Sequence, residues 1–225
     1  MFIVIEGIDG SGKGTQTILL KEKLEILGKK VKIIDYPRYG KKGAFFVEKY
    51  LNGEYGKDVN YKTASLFYAL DRYDSSIDIK KYLIEYDYVI SNRYTTSNMI
   101  HQSGKIIKEF EDKTVQKKEL KIFLDWLIDM EYNILSIPKP DKVIFLDVKP
   151  EVAIKLIEKK EKREYIKGDK NKDIHEEDDK HLENAYKIAK KIAKKYDWKT
   201  IKCTENKKIL DKSSITNLIL KNIIN

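Results

Sequence analysis

Cysteine is almost missing from this 225-residue chain. Cys203 is the only one, so no internal disulfide can form and a reducing compartment is expected. Long apolar runs are missing too. Stretches such as Phe2–Ile5 and Val143–Leu146 have strand length, and none approaches the roughly 18 consecutive apolar residues of a membrane span. The N-terminus enters an apolar run at once, with no basic segment or small-residue cleavage site. A secretory leader is therefore not expected, and a cytoplasmic location is.

Arginine is the other scarcity. The 45 basic residues comprise 41 lysines and only 4 arginines. Lysine and arginine substitute for one another on a wet surface, but not where a planar fork must grip phosphate oxygens in pairs. Arg38, Arg72, Arg93 and Arg163 are therefore candidates for such positions. The net charge of +9 is carried by lysines dispersed among nearly as many acids. No basic block with interleaved aromatics stands out, so a nucleic-acid polymer is not expected as partner and a small anionic substrate is. Hydrophobic residues make up 41% of the chain, enough for one packed α/β domain over residues 1–225.

Apolar runs and helical periodicity alternate along the chain. Strands are predicted at Phe2–Ile5, Val31–Ile34, Tyr88–Ser91, Lys142–Asp147 and Trp198–Lys202. Helices are predicted over Lys13–Leu27, Tyr61–Leu83, Thr95–Phe110, Val115–Leu135, Pro150–Ile157, Glu176–Tyr196 and Ser213–Ile224. This alternation implies a parallel sheet with helices on both faces. Glu158–Asp173, where 12 of 16 residues are charged, reads either as a surface loop or as a phosphate-covering lid.

Gly7-Ile8-Asp9-Gly10-Ser11-Gly12-Lys13-Gly14-Thr15 follows the first strand and opens a helix. Glycines let backbone N–H groups curl around phosphate oxygens, and the helix N-terminus adds its positive end. Lys13 supplies a point charge to the β- and γ-phosphates of a nucleoside triphosphate. The spacing G-x-x-x-x-G-K is that of a P-loop, with one departure. Gly14 stands where a Ser or Thr usually follows the lysine, and Thr15 lies about 100° further round the helix. Asp9 is a candidate for Mg²⁺ or for the acceptor's sugar.

Five segments in order resemble the thymidylate kinases over most of the chain. They are Ile5–Gln16, Tyr36-Pro37-Arg38, Leu66–Arg72, Asn92–Gln102 and Leu135–Asp141. The resemblance implies a three-layer P-loop fold with a five-stranded parallel sheet and a short lid at about 158–175. It implies ATP as phosphoryl donor, dTMP as acceptor, Mg²⁺ as cofactor and a homodimer. It further implies that Arg38, Arg72 and Arg93 grip the acceptor phosphate. Tyr68 would stack on the pyrimidine, with Phe67 as the alternative. Asn98 and Gln102 would hydrogen-bond the base, and Tyr94 and His101 would line the sugar. His101 has no acidic neighbour in sequence and is not read as a metal ligand.

Asn92 is a second departure, since the family usually has Asp there; Asp35 or Asp9 could still serve as a base. The P-loop carries no arginine, so the catalytic charge is expected from the lid, at Arg163. Glu176 would orient the acceptor or that arginine, or merely cap a helix. Metal contacts are expected from Asp9 and Thr15. The competing expectations are another nucleoside monophosphate or a deoxynucleoside as acceptor, or a regulatory P-loop ATPase that transfers nothing to small acceptors.

Overall fold

The first strand, β1 (Phe2–Glu6), is buried along its whole length. Its pleat sends Ile3 and Ile5 into one apolar cluster and Phe2 and Val4 into another on the opposite face. A strand covered on both sides has no polar face to show, which is why the sequence reads there as a continuous apolar run. The computed structural model describes residues 1–56, 58–167, 179–206 and 208–224, with side chains described outside 160–181. Arg163 and Glu176 therefore lie outside the residues whose side chains are described.

The sheet continues with β2 (Val31–Asp35), β3 (Tyr88–Asn92), β4 (Lys142–Asp147) and β5 (Lys199–Lys202), in the order β2-β3-β1-β4-β5. All neighbouring pairs are parallel, so each crossover needs a helix. The crossover helices are α1 (Lys13–Ile26), α2 (Phe45–Leu51), α3 (Tyr61–Asp74), α4 (Ser76–Glu85), α5 (Thr95–Glu109), α6 (Lys113–Ile128), α7 (Pro150–Lys167) and α8 (Asp179–Lys195), and α9 (Lys212–Ile224) follows the last strand of the sheet. A short hairpin, β6 (Thr204–Glu205) and β7 (Lys208–Ile209), precedes α9. The register aligns Asp35 with Asn92, and Asn92 with Ile5. Asp35, Asn92 and Glu6 thus end up side by side at the carboxyl edge of the sheet, where open α/β folds bind ligands.

Two predicted helices differ from the structure for physical reasons. The helix expected over 61–83 is broken at Ser75. Its Oγ bonds back to the carbonyls of Asp71 (3.3 Å) and Arg72 (3.0 Å) and meets the Tyr36 hydroxyl at 2.5 Å. A serine that competes for its own helix carbonyls bends the helix. The helix expected over 115–135 ends as α-helix at Ile128 and continues as a π-turn, Asp129–Ile134. Helix α7 runs on through Lys167, into the segment read as loop or lid. Helix α2 was not foreseen, although Val47, Tyr50 and Leu51 are its buried side.

Candidate active site

Gly12 opens α1 with φ 84°, a left-handed conformation suited to glycine, and no side chain caps the helix. The first-turn amides are therefore left for a ligand. Gly10 has φ +76°, and a Cβ built on it would lie 2.5 Å from the Ala153 carbonyl in the first turn of α7. Only a residue without a side chain lets α7 rest on the loop. Lys13 is buried, and its Nζ donates to the carbonyls of Gly7 (2.8 Å) and Ile8 (2.9 Å). Thr15 is exposed on the first turn, and Gly14 faces Asn92, whose Nδ2 is 3.8 Å from the ideal Cβ position.

Lys13 Nζ also lies 3.7 Å from Asp9 Oδ1, and the same oxygen is ion-paired with Arg93. These three residues join the phosphate loop to the start of α5. Burial alone would favour a neutral Asp9, but Arg93, Lys13 and His101 hold its carboxyl far below the usual range. Burial, reinforced by the Arg93 charge, pushes the Lys13 ammonium down to about 8. Burial also works against the Arg93 charge, but Asp9 and Glu6 more than offset it and raise its pKa.

The Lys13 value gives a test of phosphate binding. A bound polyphosphate restores the proton that burial disfavours, so between pH 8 and the ordinary lysine value of 10.5 binding must take up protons. Affinity for ATP should fall as pH rises through that window. Calorimetry in buffers of different ionisation enthalpy should show uptake near one proton per ATP, lost in Lys13→Met. An uptake unchanged by that substitution would place the titration elsewhere.

Beside the loop opens a cavity of about 750 Å³, within the range of small-molecule sites. Its walls include Asp9, Tyr68, Arg72, Arg93, Tyr94, Ser97, Asn98, His101 and Gln102. Arg93 adopts φ 66° and reaches His101 Nε2 at 3.2 Å. Tyr68 is half-buried on the wall, whereas Phe67 stacks on Phe46 at 5.9 Å. Tyr94 is fully buried between Phe2 and Tyr36, and its hydroxyl donates to the Pro138 carbonyl at 3.0 Å. Gln102 is buried with Oε1 unpartnered, a costly state unless a ligand donor meets it.

Arg38 does not join the other two arginines. Its Nε donates to Asp71 Oδ1 at 2.8 Å and its Nη2 pairs with Asp74, while Pro37 and Tyr39 on either side of it reach the cavity wall. Arg72 is held by Glu131 of the π-turn: Nε to Oε2 at 2.5 Å, Nη2 to Oε1 at 2.6 Å. Asn98 Nδ2 shares that carboxylate at 3.4 Å. The two cavity arginines therefore belong to separate polar groups, Arg93 with the phosphate loop and Arg72 with Asn98.

Four wall or supporting residues, Glu6, Glu48, Leu51 and Asn52, had no role in the sequence analysis. Glu48, Leu51 and Asn52 come from α2 and the residue after it. Glu6 is buried at the end of β1, where Oε1 accepts from the Gly7 N–H (2.9 Å). Its Oε2 accepts from the hydroxyls of Thr96 (2.7 Å) and Ser97 (2.8 Å). It ties the phosphate loop to the first turn of α5. Asp35 accepts from Asn92 Nδ2 at 2.9 Å, and burial pushes its carboxyl pKa up. Asn92 Oδ1 is buried without a partner. Among the described residues, no three His, Cys, Asp or Glu side chains gather as a metal site. The oxygens at hand, Asp9, Asp35, the Asn92 carbonyl and Thr15, suit a hard cation that takes much of its coordination from phosphate and water. No helix among the described residues is long and apolar enough to cross a membrane.

Comparison with known proteins agrees with this geometry. A family model described as thymidylate kinase matches residues 5–213. The thymidylate kinase of Mycobacterium tuberculosis (strain CDC 1551 / Oshkosh) is 33% identical over 156 residues, covering 68% of each chain. A probable thymidylate kinase of Methanococcus vannielii is 34% identical over 178 residues, 78% of this chain and 75% of that protein. The solved structure of thymidylate kinase from Candida albicans superposes with a TM-score of 0.70 at 22% identity, covering 99% of this chain and 90% of that one. The last likeness speaks for the shared P-loop fold.

Proposed function

The chain belongs to the thymidylate kinase family, and on that premise we propose that it transfers the γ-phosphoryl group of ATP to dTMP, giving dTDP and ADP. The observation that carries this reading is the Lys13–Asp9–Arg93 chain, which sets a triphosphate-binding loop against a nucleotide-sized cavity. ATP and Mg²⁺ offered with dTMP, dUMP, dCMP, AMP and thymidine side by side test it. ADP formation should be fastest with dTMP. A rate with dTMP no greater than with ATP alone would end the proposal.

Transfer between two phosphates asks the protein for position and charge rather than covalent chemistry. The amides of Gly10 and of Gly12–Thr15, with the Lys13 ammonium, hold the donor phosphates; the N–H groups of Gly7 and Ser11, expected there too, are already held by Glu6 Oε1 and the Ile8 carbonyl, so these two residues shape the loop instead. Arg93 faces the acceptor phosphate, and Asp9 keeps its guanidinium aimed there. Arg38 reaches that phosphate only by exchanging Asp71 or Asp74 for it. Tyr68 stacks on the pyrimidine, and Asn98 and Gln102 meet its polar edge; Arg72, expected at the acceptor phosphate, is held beside Asn98 by Glu131 and so meets that edge instead. His101 and Tyr94 line the sugar, where bulk excludes a 2′-hydroxyl. Mg²⁺ would be held by phosphate oxygens with Asp9 and Thr15, and bound there it neutralises charge on the transferred group. Asn92 is no obstacle, because a phosphate acceptor is already anionic and needs no general base.

Residues 158–175 serve as the lid, with Arg163 brought to the transferred group, Glu176 orienting it, and water shut out on closure. Arg163→Ala should lower kcat about a hundredfold while dTMP affinity changes little. A variant with wild-type turnover would remove Arg163 from the reaction.

The protein works as a homodimer in the cytoplasm. Leu66, Leu70 and Tyr73 at helical spacing on α3, continued by Ile77 on α4, form an exposed apolar stripe that a second copy would cover. Sedimentation at micromolar concentration should show twice the 26.4 kDa chain mass; a monomer overturns the dimer. The lone, buried Cys203 suits a reducing compartment, and recovery of the protein in the cytosolic fraction checks it.

A further inference from the structure

Glu131, like Glu6, is a fully buried carboxylate. Two of the side chains that bond to it, Arg72 and Asn98, line the cavity. It is delivered by a π-turn, a rare backbone form that recurs at functional sites. Thr95 donates a further hydrogen bond to it at 2.7 Å.

The consequence lies in the Asn98 amide. Its Nδ2 donates to the Ser65 carbonyl (3.1 Å) and to Glu131 Oε1 (3.4 Å). Both partners can only accept, so the amide has one admissible orientation. With both N–H groups engaged, the only polar group Asn98 can offer a base is its carbonyl oxygen, an acceptor. Arg72, gripped through Nε and Nη2, keeps Nη1 as a donor, now 3.5 Å from the Tyr94 carbonyl.

We propose that Glu131 is a specificity-determining positioning residue: it fixes an acceptor at Asn98 beside a donor at Arg72, and so selects bases with a ring N–H next to a carbonyl. Thymine and uracil present that pair. Cytosine presents the reverse, a ring nitrogen acceptor beside an amino donor, and meets like against like on both counts. A buried polar mismatch of this kind discriminates far better than a difference in shape.

This rests on the dTMP reading, and the experiment separates the two. Wild-type enzyme and the isosteric variant E131Q are assayed with dTMP and dCMP under saturating ATP. In E131Q one acceptor becomes an NH₂ group, so either Arg72 loses a partner or Asn98 is freed to turn. The ratio of kcat/KM for dTMP over dCMP should fall about tenfold or more, through KM more than kcat. T95V removes a different hydrogen bond from the same carboxylate and should keep the wild-type ratio. A folded E131Q whose ratio stays within about twofold of wild type overturns the proposal, as does an equal fall in T95V. Should E131Q fail to fold, the wild-type enzyme decides: dTMP methylated at N3 has no donor for Asn98, and its efficient phosphorylation would equally overturn it. Failure of the wild type to use dTMP at all removes the acceptor assignment, and this inference with it.

Discussion

Arg93→Ala should lower kcat about a thousandfold, with the chain still folded. Arg93 is where the two halves of the site meet. Its guanidinium pairs with Asp9 of the phosphate loop and touches His101 on the cavity wall. Without it, the acceptor phosphate would face Asp9 with no positive charge between them, and like charges would hold the reacting groups apart. Asp9 would then fall back on Lys13, now 3.7 Å away, drawing the lysine from the donor. Steady-state rates at saturating ATP and dTMP, with a thermal melt as the folding control, measure the effect. Wild-type turnover in a folded variant would take Arg93 out of the chemistry.

Glu131→Ala should have the largest effect on stability, about 3–5 kcal/mol. Arg72 is 2% exposed, and the alanine would leave its charge buried with no countercharge. Thr95 and Asn98 would lose the same acceptor. For a chain of this size the melting temperature should drop by about 10 °C. A melt within about 2 °C of wild type would mean that water or a rearranged side chain can replace the carboxylate. The isosteric glutamine used to test base selection should cost much less, because its carbonyl still satisfies part of the cluster.

Much of the donor side was legible because its chemistry is local. The phosphate loop needs glycines, a lysine and a helix start within nine residues, and a strand buried on both faces announces itself as an apolar run. The rarity of arginine drew attention to Arg72 and Arg93, both of which line the cavity. It could not show that Arg38 spends its fork on Asp71 and Asp74, since an ion pair and a ligand site call for the same residue.

What was hidden was long-range. Glu131 meets Arg72 across 59 positions, and Glu6 meets Thr96 across 90. Each reads in sequence as one more surface acid among 36. The break at Ser75 was hidden for a similar reason. Apolar spacing runs through it, and its partner Tyr36 lies 39 positions away. Helix α2 was missed because it is only seven residues long, too short for periodicity to separate it from a loop.

The bare position in the phosphate loop has a wider meaning. At residue 10 the main chain of α7 sits where any side chain would begin. The phosphate loop and the root of α7, the helix that leads toward the proposed lid, are thus one mechanical piece, and a basic group cannot be added to the first without unseating the second. A kinase built this way has to bring its extra positive charge from beyond that joint. Room, rather than reactivity, decides which end of the molecule supplies it.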